Sequence, residues 1–239
     1  MEPSSVPRAE PSLLISCEHA GNRVPRAYRS LFAGRQALLG SHRGFDRGAL
    51  PVARHLARSL EAPLLFSSTT RLLVDPNRSS HHPAVFSEVT RPLPRDGRMR
   101  LLARYHRRHR DRVRAAVTAN RGTTLHLAVH SFTPVWKGVP RRCTIGILYD
   151  PGRPLERGLA IAWQRRLREH LSSSQVRRNA PYRGNSDGLT TTLRREFGAR
   201  RYLGLELELN QRAVASAPRQ RALARLLEST LRESLAASR

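Results

Sequence analysis

Apolar residues in this chain occur in two kinds of run that alternate: short continuous blocks, and longer stretches spaced by three and four. Leu13-Leu14-Ile15-Ser16 is a block that stops at Cys17-Glu18-His19-Ala20-Gly21-Asn22, the pattern of a buried strand ending in a loop. Within Pro51–Leu60, residues Val52, Ala53, Leu56, Ala57 and Leu60 fall at helical spacing. Pro63–Phe66 and Leu72–Val74 are short strand candidates, the second ending at Asp75-Pro76-Asn77-Arg78, and the proline-rich His81–Pro94 is a loop. A helix is expected over Arg98–Ala119, where Leu101, Leu102, Tyr105, His109, Val113, Ala116 and Val117 share one side. Thr124–Val129 and Thr144–Tyr149 have strand length, Leu155–Leu171 is amphipathic, and Asn179–Gly188 is a loop. In Leu203–Leu209 the alternation puts Glu206 and Glu208 on one face, and Arg219–Ala236 closes the chain as a helix.

Strands alternating with helices imply a three-layer α/β architecture with a mostly parallel central sheet. Met1–Ser12 is a polar tail and 13–239 a single domain, with no internal repeat. In such sheets chemistry sits at the carboxyl ends of the strands, so the polar residues that matter should stand where apolar runs stop.

Composition changes this picture little. Lys+Arg number 43 against 18 Asp+Glu, a net charge of +25, yet Lys137 is the only lysine. An arginine bias spread over the whole chain, with Ala, Leu and Pro also plentiful, has the look of base composition rather than of a phosphate-binding surface, which usually mixes both cations. Helix Arg98–Arg114 is the basic face a nucleic-acid-binding reading would use, but aromatics at 5% make a poor stacking surface and no specific nucleic acid is expected. No run approaches the roughly 18 apolar residues of a membrane span. No secretory signal is visible, Cys17 and Cys143 make no disulfide framework, and a cytoplasmic location is the expectation. Oligomeric state is not legible.

The strand-end rule selects Glu18-His19, Asp75-Asn77-Arg78 and His130-Ser131, with Asp46 in the loop before a helix. Two histidines and a carboxylate form an open zinc site with a position left for water. Glu206 and Glu208 interrupt an apolar strand, at a cost unless they are paired with arginine or used, and Glu208, nearer the strand end, is the better general base. Arg71, Asn77 and Arg78 suit capture of a carboxylate.

Together the segments Ile15–Pro25, Phe45–Ala49, Asp75–Arg78, His130–Pro134, Gly146–Asp150, Asn179–Gly184 and Glu206–Gln211 resemble the N-formylglutamate amidohydrolase family, in order and over most of the chain. The resemblance implies a phosphorylase/hydrolase-like, zinc exopeptidase-like αβα fold. It also implies a hydrolase that cleaves the amide of a small acidic N-acyl amino acid, with one divalent metal ion, zinc in the first place. Carried over, His19, Asp46 and His130 are the metal ligands. The carboxypeptidases place Glu three residues after the first His, where this chain has Asn22, so Glu18 stands as the rival to Asp46. Glu208 matches the catalytic Glu, and Asn77 and Arg78 the carboxylate-binding Asn and Arg, with Arg71 as a second cation for the substrate. Glu206, His109 and Tyr182 are supporting residues, Tyr105 accompanies His109 on the helix, and Asp187 joins Tyr182 in a loop over the site. A catalytically inactive ligand-binding member of the fold is the remaining alternative.

Overall fold

Two nine-residue strands, buried along their whole length, form the centre of a six-stranded sheet. The structure, a computed structural model, describes residues 11–237. Its strands are β1 (Ser12–Cys17), β2 (Leu64–Phe66), β3 (Thr124–Phe132), the hairpin β4 (Val135–Trp136) and β5 (Val139–Pro140), β6 (Ile145–Leu148), β7 (Val176–Arg178) and β8 (Tyr202–Asn210). The helices are α1 (Gln36–Gly40), α2 (Ala49–Ser59), α3 (Arg95–Leu101), α4 (Arg108–Ala119), α5 (Pro154–Arg168), α6 (Leu189–Glu196) and α7 (Ala217–Ala236). The sheet order is β2-β1-β3-β8-β6-β7. All neighbours are parallel except β6 and β8.

Side chains alternate across a sheet, and here the alternation divides chemistry from packing. On β1, β3 and β8 the odd-numbered residues, including Ile15, Leu127, Leu205 and Leu207, point into the main core beneath α2, α5 and α7. Trp163 of α5 is fully buried there and donates from Nε1 to Thr230 of α7 at 3.0 Å. The even-numbered residues face α4 and α6. At the amino ends of the strands they are apolar or neutral, as Leu14 and Tyr202. Toward the carboxyl ends they become Glu18, His130, Glu206 and Glu208, all buried. Between the two zones His126 accepts or donates to Ser16 Oγ and Tyr202 OH, each at 2.7 Å, and burial lowers its pKa to about 4, so it is a neutral connector.

The three-layer architecture and mostly parallel sheet are as expected, and residues 1–10 of the expected tail lie outside the described residues. Leu72–Val74 is not a strand. Its side chains are buried in a separate cluster with Phe32, Val85 and Leu101, and the carbonyls of Leu72 and Leu73 accept from the hydroxyls of Ser87 and Thr90 at 2.5 and 2.9 Å. A segment whose backbone is satisfied by side chains has no need of a ladder. The helix expected from Arg98 starts at Arg95 and passes through a π-helical segment, Leu102–Arg107, before α4. The hairpin turn at Lys137-Gly138 has both residues at positive φ, 48° and 79°, the geometry of a tight two-residue connection.

Candidate metal centre and substrate cavity

His19 leaves the end of β1, and the loop carrying Asp46 is tied to it by the Asp46 N–H, which donates to the His19 carbonyl at 2.9 Å. Gly48, at φ 78°, turns that loop into α2 where any Cβ would strike Val214. Across the sheet, His130 on β3 pairs in register with Glu208 on β8. These connections bring residues 19, 46 and 130 together. Asp46 Oδ2 lies 3.4 Å from His19 Nδ1 and 3.0 Å from His130 Nδ1, and the Ser131 N–H donates to the same oxygen at 3.2 Å. One ligand atom from each residue falls within 4.8 Å of the others, and all three residues are 2% exposed.

Each imidazole turns its second nitrogen to another carboxylate. His19 Nε2 lies 2.7 Å from Asp75 Oδ1, and His130 Nε2 lies 3.1 Å from Glu18 Oε2. Asp75 is held in turn by the Arg71 guanidinium at 2.8 Å and the Asn77 N–H at 2.9 Å, while Glu18 meets His109 Nε2 at 3.3 Å. A carboxylate behind each histidine is the arrangement that fixes ring orientation and raises basicity in metal sites. Glu18 therefore stands on the far side of His130 from Asp46.

Burial opposes ionisation of all these acids, and their cationic neighbours overcome it. His19 and His130 hold Asp46 well below the usual carboxylate range, His109 and His130 do the same for Glu18, and Arg71 with His19 does so for Asp75. The His130 imidazole is raised well above its ordinary value, since Asp46 and Glu18 outweigh its burial. The three residues thus sit among ionised carboxylates that favour the protonated form of His130. Asp46 Oδ1, Glu18 Oε2 and His130 Nε2 are all buried without a hydrogen bond, a concentration of unsatisfied polar atoms that a bound cation would relieve.

The three residues open onto a cavity of about 570 Å³. Glu208 projects into it with Oε2 buried and unbonded, and Gly146 on the neighbouring strand admits the Ala180 carbonyl, which a Cβ there would strike. Burial, reinforced by Asp46 and Glu206, lifts the Glu208 carboxyl to about 8 against the pull of His130 and Arg71. Glu206 accepts a short hydrogen bond from the Thr190 hydroxyl.

Arg71, Asn77 and Arg78 all line the cavity, with different freedom. Arg71 is already committed to Asp75 and approaches Asp46 Oδ1 at 3.5 Å. Asn77 accepts from the first N–H of α6, Leu189, at 2.9 Å, and Arg78 donates to the Asp187 carbonyl at 3.1 Å. The carbonyls of residues 76, 77 and 78 are clamped by the buried Arg110 at 3.1–3.2 Å. Tyr182 and Asp187 lie at the mouth, where Arg141 is stacked against Tyr182, Trp136 and Phe132 at 5.1–5.4 Å. Tyr105 is not in this cavity; it packs edge-on against Tyr28 and lines a separate one.

Residues passed over by the sequence reading are Asp75 as the partner of His19, His42, whose Nδ1 lies 3.4 Å from Asp46 Oδ1, and Arg110. His42 stands four residues before Asp46 in the same loop, and that proximity was its only signal. Arg110 was hidden among many arginines.

Residues 11–215 match the N-formylglutamate amidohydrolase family. Among solved structures, the gene product Atu2144 from Agrobacterium tumefaciens is 30% identical, with a TM-score of 0.82 over 95% of this chain and 91% of that one. The CwlD amidase from Clostridioides difficile, solved with the GerS lipoprotein, is 8% identical at a TM-score of 0.49 over 95% and 99% of the two chains. A metallo-carboxypeptidase from Burkholderia cenocepacia is 14% identical at 0.46 over 99% and 60%. Neither of these two weaker likenesses bears on the chemistry. No curated protein matches the chain.

Proposed function

Since the chain belongs to the N-formylglutamate amidohydrolase family, we propose that it is a metal-dependent amidohydrolase that cleaves the amide of a small acidic N-acyl amino acid, N-formylglutamate in the first instance. The observation that carries this reading is the meeting of His19, Asp46 and His130 at one point of a cavity that also holds an unbonded buried carboxylate, Glu208.

His19 Nδ1, Asp46 and His130 Nδ1 would hold the ion, with Asp75 and Glu18 behind the two imidazoles rather than bound to it. A divalent cation such as Zn²⁺ supplies a Lewis acid for the scissile carbonyl and a bound water of lowered pKa. Glu208 is the general base: Oε2 takes a proton from the attacking water and delivers it to the leaving nitrogen. Arg78 and Asn77 bind the carboxylate of the amino-acid half, with Arg71 adding charge from its place beside Asp75. Binding energy from that remote group orients the scissile bond. The acid, formate in the narrowest case, and the free amino acid leave as products.

The test is metal analysis of the purified protein together with hydrolysis of N-formyl-L-glutamate and its acetyl and succinyl counterparts. Near-stoichiometric zinc, with turnover lost on chelation and restored by the metal, is expected. A metal-free protein that no divalent ion activates on any N-acyl amino acid would overturn the proposal.

A further inference from the structure

The basic helix face singled out in the sequence plays no part in the chemistry above, and its exposed guanidinium groups border a concavity rather than a flat surface. Arg104, Arg108 and Arg112, four residues apart across the π-helical segment and α4, line a second cavity of about 320 Å³ that shares no lining residue with the first. Arg23 closes it from the loop after β1, and the segment after β2 contributes Ser68 and Thr69. Among the described residues no carboxylate pairs with any of the four guanidinium groups. Lone arginines are common in so basic a chain, so this alone means little. Here, however, four like charges converge on one concavity, where neighbouring helical cations repel one another.

A second observation points the same way. His109, 5% exposed, lines this cavity. Its Nε2 is engaged with Glu18, whereas its Nδ1 has no hydrogen bond among the described residues. The hydroxyls of Ser68 and Thr69 are likewise without a hydrogen bond among the described residues. The cavity therefore offers guanidinium forks, hydroxyls and a buried imidazole, and no acid. Its size is at the lower end of small-ligand sites, about 300–1,000 Å³.

We propose that this cavity is a binding site for a small multiply charged anion of the phosphate or phosphate-ester type, separate from the substrate cavity. Guanidinium groups match phosphate oxygens two at a time, and an anion seated among four of them relieves their mutual repulsion. The exposed arginines are backed by the buried His109 and Thr69, so the polar groups converge on a point of about 320 Å³, the size of a small anion, rather than along a track for an extended backbone. Through the His109–Glu18 hydrogen bond and the Glu18–His130 ion pair the site stands two polar contacts from His130.

The test is calorimetric titration of the full-length protein with inorganic phosphate at about 0.15 M salt, where exposed charges are screened. One saturable site is expected. Arg108→Ala/Arg112→Ala should weaken it roughly tenfold or more through loss of charge-assisted hydrogen bonds, while Arg221→Ala/Arg225→Ala on the exposed face of α7 leaves it within about twofold. Ser68→Glu, which places a carboxylate in the cavity, should abolish binding and covers the case in which the double variant fails to fold. The proposal is overturned if no saturable binding occurs, if both arginine pairs matter equally, or if Arg78→Ala abolishes binding, which would put phosphate in the substrate cavity. It is equally overturned if a single-stranded oligonucleotide binds through Arg108 and Arg112 and phosphate does not displace it.

Discussion

Glu208→Gln separates what the proposed base would do for catalysis from what it costs the fold. In the metal-free protein the Glu208 carboxyl titrates at about 8, against 4.5 for an unstrained glutamate, because burial and the charges of Asp46 and Glu206 penalise its ionised form. Between those two pH values the folded state holds a proton that the unfolded chain has released, so stability falls as pH rises through the interval. At pH 7 the loss amounts to about 3 kcal/mol at 1.4 kcal/mol per pH unit. The uncharged amide of glutamine escapes it. With chelator present, Glu208→Gln should therefore melt roughly 5–10 °C above the parent at pH 7–8, with the difference closing toward pH 4.5. Added zinc stabilises the ionised carboxylate of the parent and should narrow the gap, while hydrolysis by the metal-loaded variant falls by about 10²–10⁴. Differential scanning calorimetry across pH, with and without metal, reads the first effect and steady-state kinetics the second. A variant less stable than the parent at pH 8 in chelator, or a difference indifferent to pH, would refute the reasoning about Glu208.

Four further outcomes are expected. Because the His130 imidazole is raised by Asp46 and Glu18 and must lose its proton to bind an ion, zinc affinity measured with a competing chelator should increase with pH across the neutral range; affinity flat with pH would contradict the ligand assignment. Glu18→Gln should weaken zinc binding about 10–100-fold while the ion remains removable and replaceable, as befits a carboxylate behind a ligand; complete loss of the site would make Glu18 a ligand itself. Arg78→Ala should raise KM for a carboxylate-bearing substrate by roughly tenfold or more with a smaller change in kcat, and a substrate amide lacking that carboxylate should not register the change. In the core, Arg194 forms a buried ion pair with Glu156 at 3.0 Å, so Arg194→Ala should cost about 3–5 kcal/mol by denaturant titration.

The sequence discloses a position when one local rule acts on it. Leu203–Leu209 could be read as a strand with both glutamates on one face because strict alternation leaves no other reading, and β8 spans Tyr202–Asn210 with Glu206 and Glu208 together. His19 and His130 were visible because an apolar run stops at each. His130 nevertheless lies inside β3, which continues to Phe132, since Ser131 and Phe132 still pair with β8. What remained hidden depends on distant partners. Leu72–Val74 has strand composition but takes its hydrogen bonds from hydroxyls fifteen or more residues away. α6 begins where Asn77, over a hundred residues earlier, caps its first amide. Asp75 and Glu18 looked like any strand-end acids, and only the fold shows which imidazole each supports.

The division of β1, β3 and β8 into an oily side and a reactive side has a consequence for how such an enzyme can change. Inserting or deleting one residue in any of these strands would turn imidazole and carboxylate into the hydrocarbon interior and leucine toward the cleft. Length variation is thereby barred from the strands that carry the candidate site. It is free to accumulate in the hairpin at Trp136 and the segment around Tyr182, which border the cleft without belonging to the sheet's interior, so the rim can vary while His130 and Glu208 keep their register.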